Sequence, residues 1–141
     1  MSMQFVMYQS RALVPNTADV HNQILDACAR HNKKQHLTGF LHRESDIFLQ
    51  YIEGPGEMLD QTMARIERDE RHTDVQILHR GEIAARHFPD WQMGFVDSSQ
   101  LTLASLLLVD GRSLNLLTQD WFDLVVFLSN NADALRGRQA A

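Results

Sequence analysis

Gln50 is the residue whose chemistry stands out first. It interrupts an apolar segment, Ile47 to Ile52, between Leu49 and Tyr51. A buried amide needs partners, because leaving it unsatisfied costs roughly 1–3 kcal/mol. Its side chain offers two donors and an acceptor oxygen, so it can donate at one end and accept at the other. Taken alone, Gln50 reads as an outward-facing strand residue, since side chains alternate between faces. Other groups with useful chemistry are Tyr8 near the start of the chain, the His31-Asn32 pair, and Arg65 with Asp69 four residues on. The ordinary reading of Tyr8 is a core aromatic with its hydroxyl at the rim. For Arg65 and Asp69 it is a solvated helical pair, and for Cys28 a small core residue.

Standard catalytic signatures are absent. There is no G-x-G-x-x-G, P-loop, H-E-x-x-H or paired C-x-x-C. The chain has seven histidines. His31, His36, His42, His72, His79 and His87 have no companion cysteines and match no metal-ligand spacing, so no metal site is expected. The single Cys28 has no evident triad partner. These absences point away from an enzyme.

The elements that must position these groups follow from pattern. Residues 3–9 alternate weakly and predict a strand. Pro15-Asn16-Thr17 is a turn with a helix cap, and Val20, Ile24, Ala27 and Cys28 recur at helical spacing toward His31 and Asn32. Leu37 to Leu41 and Ile47 to Ile52, joined by Arg43-Glu44-Ser45-Asp46, predict a hairpin. Gly54-Pro55-Gly56 breaks the chain before a second helix over 57–69, carrying Leu59, Met63 and Ile66. Arg71-His72-Thr73 reads as a loop, Val75, Ile77 and Ile83 as a fourth strand, and Trp91, Met93 and Phe95 as a fifth. Beyond Ser98 a leucine-rich run and a Trp121–Leu128 face predict two further helices. The fold class expected is α+β, a ferredoxin-like βαββαββ sandwich with two helices on one sheet face and two additional C-terminal helices.

The whole chain has 141 residues, enough for one domain with a substantial core. Its formal net charge of −5 argues against a nucleic-acid partner. No apolar run nears the ~20 residues that span a bilayer, and no early segment has signal-peptide character. One cysteine allows no internal disulfide, so a cytoplasmic setting is expected.

Taken jointly, the motifs resemble the BLUF family of flavin-based blue-light photoreceptors. The residues that carry the likeness are Tyr8-Gln9-Ser10-Arg11-Ala12, His31-Asn32, Leu37-Thr38-Gly39-Phe40-Leu41, Phe48-Leu49-Gln50 and Glu53-Gly54-Pro55. Arg65-Ile66, Arg68-Asp69, Arg71-His72 and Phe88-Pro89-Asp90-Trp91-Gln92-Met93 complete it. They cover about residues 3–97.

The resemblance implies an FAD, or FMN or riboflavin in its place, bound between the two helices. Ile24 and Ile66 would flank the ring faces. Asn32, with His31, would meet its polar edge, and Arg65 and Asp69 would reach that edge or its surroundings. Arg71 and His72 would stand where the ribityl-phosphate end emerges. Cys28 departs from relatives that carry serine there, and His36 before Leu37 is a second departure; both bear on tuning.

The resemblance also implies that Tyr8 gives an electron and then a proton to the light-excited flavin, relayed through Gln50, which ends with altered hydrogen bonds and a red-shifted absorption. Trp91 and Met93 would compete for places near Gln50 and carry the output. Residues 1–97 are expected to form the flavin-binding domain and 98–141 a helical cap or output segment. The latter is too short to be an effector domain, so the expected route is signalling in trans to a separate partner protein, with a homo-oligomeric sensor. Two other readings stand beside this: a flavin-free interaction module of BLUF type, and an acylphosphatase-like enzyme using Arg11 and Asn32. The latter lacks a phosphate-cradling glycine loop before the first helix.

Overall fold

The computed structural model describes residues 3–89, the backbone of 94–97, and 123–130. The elements run β1 (Met3–Ala12), α1 (Ala18–Lys34), β2 (Thr38–Glu44), β3 (Ile47–Pro55), α2 (Gly56–Glu67), β4 (His72–Glu82) and β5 (Gly94–Asp97), with a third helix, α3, at 123–130. The sheet order is β4-β1-β3-β2-β5. β1 lies antiparallel between β3 and β4, β2 is antiparallel to β3, and β5 runs parallel to β2. This is the expected ferredoxin-like α+β arrangement, with a fifth strand added beside β2.

Strand alternation sorts the side chains into two cores. Val6 and Tyr8, Leu41, Phe48 and Ile52 face one way and pack with Ile24 of α1 and Leu59 and Met63 of α2. Phe5 and Met7, Phe40, Leu49 and Tyr51 face the other way, under Phe88 and Leu124, Val125, Phe127 and Leu128 of α3. Both faces of the sheet are therefore covered, which is why its strands read as nearly continuous apolar runs. Gly39 has a specific reason to be glycine: a Cβ there would lie 2.0 Å from the carbonyl oxygen of Tyr51 on the neighbouring strand.

Local chemistry sets the element ends. Thr17 caps α1 by accepting the Val20 N–H at Oγ1, 3.4 Å away, and His31, Lys33 and Lys34 occupy the last turn, where cations suit the helix dipole. Helix α2 ends at Glu67 rather than at residue 69, which corrects the helical pairing expected of Arg65 and Asp69. Asp69 instead turns to Arg71, accepting from its backbone N–H at 3.0 Å and its guanidinium at 2.6–3.1 Å. His72 and Thr73 begin β4 instead of forming a loop, because they pair with Ala12 and Arg11 on a β1 that runs longer than expected. The fifth strand is described over Gly94–Asp97, overlapping the stretch expected for it. Trp91 and Met93, like the helix expected in the leucine-rich run after Ser98, lie outside the described residues.

Arg43, read from sequence as a polar turn residue, is fully buried. Its guanidinium donates to the carbonyls of Ser45, Pro15 and Val14 at 2.9, 3.2 and 2.9 Å, approaches His21 Nε2 at 3.2 Å, and stacks over Phe48. Three carbonyls and one imidazole compensate the desolvated charge. They also tie the β1–α1 loop to the β2–β3 hairpin.

Candidate functional site

A cleft opens between α1 and α2 on the face of the sheet that carries both helices. One lobe, about 410 Å³ including space open to solvent, is lined by Tyr8, Ile24, Cys28, Leu41, Phe48, Gln50, Ile66, Asp69, Arg71 and His72. The adjoining lobe, about 380 Å³, shares Cys28, Gln50, Ile66, Asp69 and Arg71 and adds Ala27, His31, Asn32, Ile52, Thr62 and Arg65. All eleven residues expected at a flavin site therefore surround one cleft. Leu41, Phe48, Ala27, Ile52 and Thr62 complete its wall, and only their position on the inward faces of β2, β3 and the helices would have signalled them.

Tyr8 and Gln50 sit opposite each other in the β1–β3 register, and the Tyr8 hydroxyl donates to Gln50 Oε1. Both are buried, at 4% and 3% exposure, which corrects the outward-facing reading of Gln50. The amide faces inward because this strand has an apolar core on each side, so neither face is a solvent face. Burial, with smaller contributions from Cys28 and Asp69, raises the Tyr8 phenol well above its ordinary value, so at neutral pH it holds its proton and acts as donor. Burial likewise raises the Cys28 thiol against the opposing pull of Arg71 and Arg65, which keeps it protonated.

The mouth of the cleft is polar. Asp69 is held below the usual carboxylate range, chiefly by its hydrogen bonds from Arg71, and Arg71 is raised in turn by the same bonds. His31 Nε2 lies 2.9 Å from Thr62 Oγ1, joining α1 to α2. His72 is committed to the protein itself: Nδ1 is 2.7 Å from Ser10 Oγ and Nε2 is 2.6 Å from the Ile66 carbonyl. Since the carbonyl can only accept, Nε2 carries a proton, and the ring fixes the end of α2 to β1. Asn32, 2% exposed, is held at the end of α1, where its carbonyl accepts the Leu37 N–H at 2.9 Å. Apolar walls from Ile24 and Ile66, a hydrogen-bonding floor and a charged mouth fit a flat heteroaromatic ring with a polar edge.

The family model described as "Sensors of blue-light using FAD", BLUF, matches residues 3–94. The chain belongs to the BLUF family. It is 32% identical over 87 residues to the photoactivated adenylate cyclase subunit beta of Euglena gracilis, a match covering 61% of this chain and 10% of the relative. The corresponding subunit from Euglena longa is 33% identical over 96 residues, covering 65% and 11%. The chain thus spans about a tenth of the length of these curated relatives. Among solved structures, BlrB, a BLUF protein in its dark state, superposes with a TM-score of 0.78 at 26% identity, over 92% of this chain and 97% of that one. The photo-activated state of BlsA superposes equally well at 23% identity, over 91% and 93%, and adds support for the fold. Membership assigns the chain to a family of flavin-using blue-light sensors. Among the described residues, no helix of this BLUF chain is long and apolar enough to cross a membrane, and no three His, Cys, Asp or Glu side chains gather as a metal set.

Proposed function

We propose that this BLUF chain is a blue-light photoreceptor that binds FAD noncovalently in the α1–α2 cleft and registers light through Tyr8 and Gln50. The observation that carries the reading is the hydrogen bond from Tyr8 Oη to Gln50 Oε1 at the floor of that cleft. Ile24 and Ile66 flank the ring faces and exclude water. His31, Asn32 and Arg65 meet the polar edge, Cys28 lies along α1 between them and Ile24, and the Asp69–Arg71 pair and His72 close the mouth. Bound flavin supplies the chromophore and, once excited by blue light, a strong one-electron oxidant.

Tyr8 is the electron and proton donor. Its hydroxyl proton is already directed at Gln50, so proton departure needs no large movement. Return of the electron and proton to Tyr8 would restore both partners to their starting oxidation level and leave Gln50 with its donor and acceptor ends exchanged by rotation or tautomerisation, so that the altered amide would present a different hydrogen bond to the cofactor edge. That difference is the stored signal, and the absorption shifts red until it relaxes in darkness.

The sensor itself consumes no substrate. Residues 1–97 form the sensing unit and 98–141 the cap and output segment, supported by the burial of Leu124 and Leu128 against the sheet. The signal passes to a separate partner protein from a homo-oligomeric sensor.

The test is direct. Purified protein should be yellow, release an unmodified flavin on heat denaturation, and show a red shift under blue light that reverts in darkness. Chromatography of the released flavin distinguishes FAD from FMN and riboflavin. Colourless protein that also refuses all three flavins overturns the proposal.

A further inference from the structure

Glu53 is fully buried on β3, on the sheet face opposite the cleft. A carboxylate removed from water is costly unless donors surround it. Here Thr38 Oγ1 donates to Oε2 at 2.9 Å, the His87 N–H to Oε1 at 2.7 Å, and the Phe88 N–H to Oε2 at 2.7 Å. Two of the three donors are thus consecutive backbone amides from a segment more than thirty residues away in sequence. Charge-assisted bonds of this kind are stronger than neutral ones. Thr38 Oγ1 in turn accepts from Arg86 at 2.8 Å, whose other nitrogen donates to the His36 carbonyl at 2.7 Å. Segment 86–88 is therefore fastened to β3, to β2 and to the loop that follows α1.

What this fastening joins gives it a consequence. Gln50 lies three residues before Glu53 on the same strand, about 10 Å along it, and faces the cleft on the other side of the sheet. Asn32, in the last turn of α1 and also a lining residue of the cleft, holds the end of that loop by accepting the Leu37 N–H at 2.9 Å. On the far side, Phe88 leads toward β5, which pairs, among the described residues, with β2. Among the described residues β5 is held to the sheet by β2 alone, so the anchoring of the segment that precedes it bears on its position.

We propose that Glu53 is a positioning residue for signal output: its carboxylate locks segment 86–88 to the strand that carries Gln50, so a changed hydrogen bond at Gln50 displaces the start of the path into β5. This rests on the photoreceptor reading above and assigns the route by which that site is read out. Without the lock, light would still change the absorption of the cleft, but the displacement would stay at β3.

Two variants test it in the full chain: Glu53→Gln, whose amide cannot accept both N–H groups, and Thr38→Val, isosteric and removing one donor. Amide hydrogen exchange in darkness should quicken about tenfold or more at residues 87 and 88 in Glu53→Gln, and severalfold in Thr38→Val, in proportion to the charged hydrogen bonds lost. Flavin loading and the red shift should stay as in the wild type, while the light-minus-dark infrared bands of the backbone amides fall by at least half in Glu53→Gln. Unchanged amide bands overturn the inference, even if exchange quickens, because Glu53 would then be structural only. Unchanged exchange overturns it as well. Should Glu53→Gln not fold, the same comparison in Thr38→Val decides, with a smaller loss of the bands expected. A wild-type protein with no red shift sinks the photoreceptor reading instead, and dark exchange at 87 and 88 still reports whether Glu53 holds the segment.

Discussion

The ring of His42 stands edge-on to that of Phe127, with 4.9 Å between centroids and planes 89° apart, so α3 is keyed to the centre of the sheet through a fully buried histidine. His42 Nε2 also lies 3.2 Å from Glu44 Oε1. On the neighbouring strand, His42 is paired with Leu49, and its predecessor Leu41 is paired with Gln50. Helix α3 and the cleft therefore share the same two strands from opposite faces. Its apolar face is core, with Leu124 and Leu128 completely buried.

Phe127→Ala should accordingly destabilise the protein by about 3–5 kcal/mol, the usual cost of truncating a buried phenylalanine. Urea denaturation followed by tryptophan fluorescence or circular dichroism measures it. The red shift should persist, since the cleft is on the other face. A loss under 1 kcal/mol would mean that α3 is not part of the core.

The two residues at the floor of the cleft make separable predictions. Tyr8→Phe keeps the ring and its packing but removes the hydroxyl that donates to Gln50. Gln50→Leu keeps the bulk but removes both amide ends. Each variant should bind flavin and lose the reversible red shift, as read by difference absorption spectra under blue light. A full, reversible shift in either one would mean that the Tyr8–Gln50 bond is structural.

His31 predicts a pH dependence. Its imidazole is held below its ordinary value, first by burial and then by the neighbouring charges of Arg65 and Lys34. A histidine depressed in the folded state binds fewer protons there than in the unfolded chain, so stability rises with pH across the interval between the two values. The contribution is complete above the unfolded value of about 6.5, and is lost as pH falls below it. Thermal midpoints of the wild type should drop between pH 7 and pH 5, and His31→Gln should flatten that drop. Equal slopes in the two proteins would exclude His31 as a source of the effect.

How much of this was legible before the fold was known depends on the range of each interaction. Helix α1, its Thr17 cap and the β2–β3 hairpin follow from neighbours in sequence, and the structure has them close to where pattern puts them. The lining of the cleft was reachable through the family resemblance, which implies Tyr8, Asn32, Gln50, Ile66 and Arg71 at a flavin site, and not from their spacing alone. The inward orientation of Gln50 was not, because a polar-out rule presumes that one face of the sheet meets water. Arg43, His42 and Glu53 were missed for another reason. Polar side chains in a turn or strand look solvated until distant groups fill their valences: Val14 and Pro15 for Arg43, Phe127 for His42, and the amides of His87 and Phe88 for Glu53. The end of α2 and the start of β4 shifted similarly, since the Asp69–Arg71 bonds and the longer β1 decide them.

The last prediction sets Tyr51 against Tyr8. Tyr51 follows Gln50 directly but faces the other core, stacked on Phe5 at 5.5 Å and edge-on to Phe88 at 5.3 Å. Its hydroxyl is buried and makes no hydrogen bond of normal geometry among the described residues, although the Glu53 carboxylate lies close enough to act on it. Burial, reinforced by the nearby Glu53 carboxylate, pushes the phenol far above its ordinary value, so it stays protonated. An unsatisfied buried hydroxyl carries a desolvation penalty of about 1–3 kcal/mol, which removal of the oxygen relieves. Tyr51→Phe should therefore leave stability unchanged or raise it by about 1 kcal/mol, and should leave the red shift intact. Denaturant midpoints and difference spectra, taken beside those of Tyr8→Phe, check both halves. A loss of more than 1 kcal/mol would mean that the Tyr51 hydroxyl has a partner after all, and the neighbouring Glu53 carboxylate is the first acceptor to examine.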